Sequence, residues 1–99
     1  MILDSAKVIF GDNVMVGPNC SFITTEHSLL PKNRCKGVQW AKSIVVENNV
    51  WICSNVTVLA GVTIGENSVI GAGSVVTKDV PPNTFAAGIP CKVIKQLRC

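Results

Sequence analysis

Between Val46 and Pro81 the apolar residues recur every six positions, at Val46, Ile52, Val58, Ile64, Ile70 and Val76. Four residues after each stands a second small or β-branched residue: Val50, Val56, Val62, Ser68, Ser74 and Val80. Asn48, Asn49, Asn55 and Asn67 lie between them, with Gly61, Gly65, Gly71 and Gly73. So regular a period is an internal repeat, which constrains the fold before any single residue does. A strand alternates its side chains with period two, so residues six apart share a face, but Gly and Asn every few positions prevent a long straight run. Each hexad therefore reads as one short strand and one corner, its leading aliphatic pointing inward and Gly or Asn supplying the positive φ of the corner. Successive turns then stack in parallel around a narrow column of Val and Ile. A helix would combine three- and four-residue apolar spacing with a run of good helix formers. The period of six, the Val-rich flanks and the absence of such a run argue against one.

The same repeat occupies Phe10 to Thr25, led by Phe10, Val16 and Phe22, and Phe10-Gly11-Asp12-Asn13-Val14 parallels Ile64-Gly65-Glu66-Asn67-Ser68. The pattern lapses from about Thr24 to Ser43, where Pro31, Asn33 and Gly37 mark a loop that leaves the coil and returns to it. Long ordered loops in compact scaffolds are often functional, and His27, the only histidine, is expected at the base of this one. The predicted layout is a single β-helix domain over 1–99, with repeats at about 4–25 and 44–81, a loop at about 24–43 and a C-terminal tail at 82–99.

Composition narrows the class. Ninety-nine residues with 47% hydrophobic content suit one globular domain, and no run approaches the roughly 20 apolar residues of a spanning helix. The start, Met1-Ile2-Leu3-Asp4-Ser5, lacks the basic and apolar regions of a signal peptide, so a soluble cytoplasmic protein is expected, without a membrane partner. Cys20, Cys35, Cys53, Cys91 and Cys99 are odd in number and form no C-x-x-C pair, which disfavours a disulfide framework or a zinc knuckle; Cys20 falls on a core position of the repeat. The net charge of +3 gathers at Lys32, Arg34, Lys36 and Lys42 and at Lys92, Lys95 and Arg98, with Lys78 upstream. Nucleic acid would call for a larger excess and more aromatic residues. A small phosphate-bearing ligand matches the C-terminal cluster better, the alternative being a solvated basic tail.

The runs Val50-Trp51-Ile52, Ser54, Val62-Thr63-Ile64-Gly65, Val69 to Asp79, Pro81-Pro82-Asn83 and Ala87-Gly88-Ile89-Pro90-Cys91-Lys92 resemble the hexapeptide-repeat acetyltransferases, most closely the maltose and galactoside O-acetyltransferase group. The resemblance covers essentially the whole chain. It implies an all-β, left-handed parallel β-helix, an exception to right-handed crossovers, and a homotrimer with acetyl-CoA between neighbouring subunits. It also implies an acetyl transfer to a hydroxyl of a sugar or similar small acceptor, with no metal.

By the same resemblance His27 is the general base that takes the proton of the acceptor hydroxyl, a task suited to an imidazole with an ordinary pKa of about 6.5. Ser54 helps to hold the oxyanion and contacts the coenzyme. Trp51 lies near the site on the acceptor side, the alternative being a packed aromatic at a corner. Ala72, Thr77 and Lys78 line the pantetheine arm and nucleotide. Lys92 and Lys95 stand where arginines often meet CoA phosphates; lysine keeps the charge and loses the bidentate fork.

The chain departs from the family at several points. Glu26-His27-Ser28 replaces Gly-His-Pro, and Cys53 replaces the glycine after Ile52, where its side chain is expected to crowd the thioester channel. The chain begins where the family is already well into its β-helix; of the acidic pair expected there on the acceptor side, Asp4 is present and Ser5 takes the second place. So short a coil is expected to expose apolar core at its open end and to compensate by trimerising. A non-catalytic trimeric module that binds CoA without turnover is the alternative function. Hexapeptide-repeat carbonic anhydrases need three histidines on zinc, and this chain has one.

Overall fold

The hexads fold as short strands joined by tight corners. The computed structural model describes residues 6–37 and 39–98, so Asp4 and Ser5 lie outside the described residues. Strands β1 (Val8–Phe10), β2 (Met15–Val16) and β3 (Ser21–Phe22) make one coil, after which β4 (Thr25–His27) and β5 (Gln39–Ala41) form the excursion. The second coil consists of β6 (Ile44–Val46), β7 (Trp51–Ile52) and β8 (Thr57–Val58), and the third of β9 (Thr63–Ile64), β10 (Val69–Ile70) and β11 (Val75–Val76). Three hexads close one coil, because Val45 pairs with Thr63, Trp51 with Val69 and Thr57 with Val75, all in parallel and all at the same sequence spacing. The coils stack into three walls, β1-β6-β9, β2-β7-β10 and β3-β8-β11, as a left-handed parallel β-helix in a body of 49 × 25 × 23 Å.

The core is the column read from the period. Val46, Ile52, Val58, Ile64, Ile70 and Val76 are fully buried, and Val50, Val56 and Val62 pack between them with at most 2% exposure. Each such side chain contributes about 1.5–3 kcal/mol relative to an exposed one. In the first coil two of the three equivalent residues are open, Phe10 at 46% and Val16 at 42% exposure, while Phe22 packs against the core and meets Phe10 edge to face at 5.4 Å.

The corners correct the reading of the glycines. Positive φ falls mainly on asparagines, at Asn13, Asn19, Asn49, Asn55, Asn67 and Asn83, and on Gly61 and Gly73. The Asn49 amide donates to Asn67 Oδ1 (3.2 Å) and that of Asn67 to Asn83 Oδ1 (2.8 Å), a ladder down one edge. Gly65 instead keeps an ordinary φ and is needed for close approach, since a Cβ there would lie 2.4 Å from Pro82 N.

The regular period ends at the third coil. Ile64 bridges to Val80, and Val69 pairs with Phe85, both short of the three-hexad spacing, because the corner Thr77-Lys78-Asp79 is tighter than its predecessors. Val80, which the spacing put in the fifth place of a hexad, therefore sits over Ile64 in the leading place. The segment expected as a tail is largely a hairpin: β12 (Thr84–Gly88) adds to β10 in parallel, and β13 (Cys91–Gln96) returns antiparallel beside β12 with a bulge after Phe85.

The excursion is a ribbon. Strand β4 pairs antiparallel with β5, and the short helix α1 (Pro31–Cys35) sits at its tip. So short a helix with no buried member gives no amphipathic period, which is why the sequence does not announce it. Lys42 N donates to Thr24 O at 2.8 Å and closes the neck, where Lys42 also pairs with Glu26 at 3.4 Å. Across the ribbon the coil resumes in register, with Val8 opposite Ile44 and Met15 opposite Trp51.

Candidate functional site

The second wall and its following corner gather five of the residues singled out in the sequence. Met15, Trp51, Val69 and Phe85 stand in one ladder row, and the outward member of each strand is set by the burial of its neighbour, as with Trp51 beside buried Ile52. Lys95 pairs with Phe85 and Lys92 with Ala87, so both ammonium groups leave the same outer face as Trp51. Trp51 is 47% exposed, with Met15 beside it at 61%.

At the corner that follows, Ser54 and Ala72 are stacked one coil apart, with Gly73 N donating to Ser54 O at 3.0 Å. Ser54 is half-buried and Ala72 exposed. Cys53 is half-buried between Gly17 and Gly71 of the adjoining coils. A Cβ on Gly17 would come within 2.8 Å of Ser54 N, and one on Gly71 within 2.8 Å of Ala87 Cβ. The Cys53 carbonyl accepts the Cys20 thiol at 3.0 Å.

Thr77, Lys78 and His27 belong to a different edge. Thr77 and Lys78 are exposed on the shortened corner, where Asp79 Oδ1 accepts Thr63 N at 2.8 Å. The ribbon is rooted on the same edge, between the third and first walls. His27 is exposed at the third ladder pair, opposite Gln39, farther out than the base expected for it. Its side chain makes no hydrogen bond among the described residues. Within one chain the third wall lies between this edge and the corner of Ser54 and Ala72, so the chain alone does not bring His27 to them.

Two buried hydroxyls carry roles the spacing did not reveal. Ser68 Oγ donates to Pro81 O (2.7 Å) and accepts Thr84 N (3.1 Å), while Ser74 Oγ donates to Gly71 O (2.6 Å) and accepts Gly88 N (3.1 Å). Serine thus replaces valine in the column where the hairpin docks. Burial pushes the Cys91 thiol above its ordinary range, and its hydrogen bond with Ser74 opposes that rise. A groove of about 290 Å³ opens elsewhere, on the first wall, lined by Ile9, Val45, Glu47, Asn48 and Glu66 among others, and holds none of the residues above. Its polar groups already serve the backbone, Asn48 Oδ1 accepting Asp12 N and Glu47 Oε1 accepting Glu66 N, so we place the chemistry elsewhere. Among the described residues no three of His, Cys, Asp and Glu converge as metal ligands, and no helix is long and apolar enough to cross a membrane.

The profile of the family described as bacterial transferase hexapeptide (six repeats) matches residues 43–78, the stretch of unbroken hexads. Residues 43–78 are thus hexapeptide repeats of that family. This hexapeptide-repeat chain is 58% identical over 95 residues to a sophorolipid acetyltransferase of Starmerella bombicola, covering 96% of the chain and 37% of that protein. It is 50% identical over 96 residues to the galactoside O-acetyltransferase of Escherichia coli K12, covering 97% of the chain and 47% of that protein. Among solved structures it resembles a hexapeptide-repeat acetyltransferase of Vibrio cholerae complexed with acetyl coenzyme A. The TM-score is 0.92 at 43% identity, covering 98% of this chain and 53% of that one. The hexapeptide-repeat chain thus spans less than half the length of the two curated relatives.

Proposed function

We propose that this chain is a hexapeptide-repeat acetyltransferase domain that uses acetyl-CoA to acetylate a hydroxyl of a sugar or similar small acceptor. The observation that carries the reading is the shared face of Trp51, Lys92 and Lys95, continuous with the corner of Ser54 and Ala72. An elongated coenzyme needs such a surface: cations for phosphates, a smooth small-residue corner for the pantetheine arm, and a hydroxyl near the thioester. The near-complete overlap of this chain with a relative solved with acetyl coenzyme A supports placing the coenzyme here.

In the reaction, His27 takes the proton of the acceptor hydroxyl as its oxygen attacks the thioester carbonyl. Ser54 donates to the oxyanion that forms. The C–S bond then breaks, the acetyl ester is released, and the proton passes to the CoA thiolate. The separation of His27 from Ser54 in one chain supports a homotrimer in which the ribbon of one copy meets the second wall of the next, with Thr77 and Lys78 completing the coenzyme contacts. We place this protein in the cytoplasm, as a single β-helix domain without a metal. Trp51 and Cys53 fall on the acceptor and thioester side of the same assignment; Asp4, expected on the acceptor side, lies outside the described residues.

The second reading is a trimeric module that binds CoA without turnover; it is favoured by the separation of His27 from the corner of Ser54 and Ala72 within one chain. One assay separates the two. Release of free CoA is measured with acetyl-CoA and a panel of sugars and small alcohols, beside His27→Ala. We expect turnover that falls by at least about a hundredfold in His27→Ala, within the range of general-base contributions, while CoA still raises the melting temperature of both proteins. A thermal shift with CoA and no turnover with any acceptor selects the second reading.

A further inference from the structure

We propose that Ser28 is a positioning residue for His27, an inference that rests on the acetyltransferase reading above. Among the described residues of the ribbon, Ser28 alone is buried, at 5% exposure, while His27 before it and Leu29 after it are exposed, Leu29 at 90%. Its hydroxyl accepts the Leu30 amide at 3.1 Å, which bends the chain immediately after the last ladder pair, His27 with Gln39. Leu30 O then accepts Asn33 N and Arg34 N, so the bend leads straight into α1.

His27 is therefore held from both sides: the antiparallel ladder fixes the backbone that precedes it, and the Ser28 turn fixes the backbone that follows. The side chain itself is free of hydrogen bonds among the described residues, so the direction of its imidazole depends on this backbone. That dependence matters because a displacement of about 1 Å at a reacting group can cost a hundredfold in rate. Without the hydroxyl the Leu30 amide loses its partner, and the ladder end at His27 can fray into the exposed tip. Serine at this position thus supplies by hydrogen bonding the bend that a rigid residue would supply covalently.

The test is steady-state kinetics of Ser28→Ala and Ser28→Thr against the wild-type chain, with acetyl-CoA and the best acceptor of the panel. Ser28→Ala is expected to lower kcat by about ten- to hundredfold. KM for acetyl-CoA should stay within about twofold and the melting temperature unchanged, because the ribbon lies outside the core. Ser28→Thr, which keeps the hydroxyl, should recover most of kcat. Wild-type kcat in Ser28→Ala overturns the proposal, as does an equal loss in Ser28→Thr or a loss that tracks a fall in melting temperature. Absence of turnover in the wild-type chain is a distinct result, which overturns the acetyltransferase reading and this role with it.

Discussion

At Gly65 a Cβ would lie 2.4 Å from Pro82 N and 2.7 Å from the Pro81 carbonyl carbon, rigid backbone on both counts. At Gly73, φ is +76° and nothing lies within 4 Å of the added carbon. The two residues look alike in the sequence and are needed for different reasons, one for space and one for conformation. Gly65→Ala is expected to cost about 1–3 kcal/mol through overpacking, and Gly73→Ala about 1–2 kcal/mol through left-handed strain. Crystals of the two variants tell the causes apart: the first should push the Pro81-Pro82 segment away, and the second should leave every neighbour in place. An unmoved Pro82 in Gly65→Ala would contradict the assignment. The same contrast shows what was legible. Burial of Ile52 or Ile70 follows from period six, whereas the use of each glycine depends on the coil above it, which the local sequence does not contain.

The hairpin β12–β13 is the element that the period did not describe. Its register on β10 falls short of the three-hexad spacing, so the ladder bonds of a full coil are replaced in part by Ser68 and Ser74. Both serines were readable as small residues in an aliphatic column; their hydroxyl bonds were not, because the partners belong to a segment read as a tail. Ser68→Ala leaves Thr84 N and Pro81 O without their partner, at a cost of about 1–3 kcal/mol for buried groups. Hydrogen exchange should quicken at Thr84 and Leu97 while Trp51, inside the regular ladder, keeps its protection. Uniform acceleration across the chain would mean that the serine supports the whole coil rather than the hairpin. The placement of Lys92 and Lys95 depends on the same return: only the antiparallel pairing with Ala87 and Phe85 turns a basic sequence cluster into a charged margin of the second wall.

For the molecule as a whole, exposed apolar side chains lie on the ribbon, where Leu29 is 90% exposed, at the first coil, and side by side on that second wall, with Met15 61% and Trp51 47% exposed. Contiguous apolar surface of this kind marks an interaction face. We expect light scattering to give a mass of three chains, and Trp51→Lys to reduce it while leaving the β-rich circular dichroism intact. A folded wild-type monomer would remove the basis for a site shared between copies. The coil was legible throughout, since repetition writes the same instruction into every hexad, whereas the ribbon and the hairpin were not. The candidate site was legible only as a set of names, because His27 and Ser54 lie on different edges of the chain, a separation that period six does not encode.

The ribbon has a consequence for the order in which the chain folds. Later coils close over three hexads, as from Val45 to Thr63, whereas the first coil must find the second across twice that span, from Val8 to Ile44. Doubling a flexible loop adds about 0.6 kcal/mol of closure entropy. The ribbon's own pairing, from His27 with Gln39 down to Thr24 and Lys42 at its neck, shortens that span once it is made. Once zipped, it spans almost no distance, and the coil on its far side forms as though the insertion were absent. The projection that carries the proposed base thus also joins the first coil to the second, so the same few residues bear on the closing of the coil and on the placement of the chemistry.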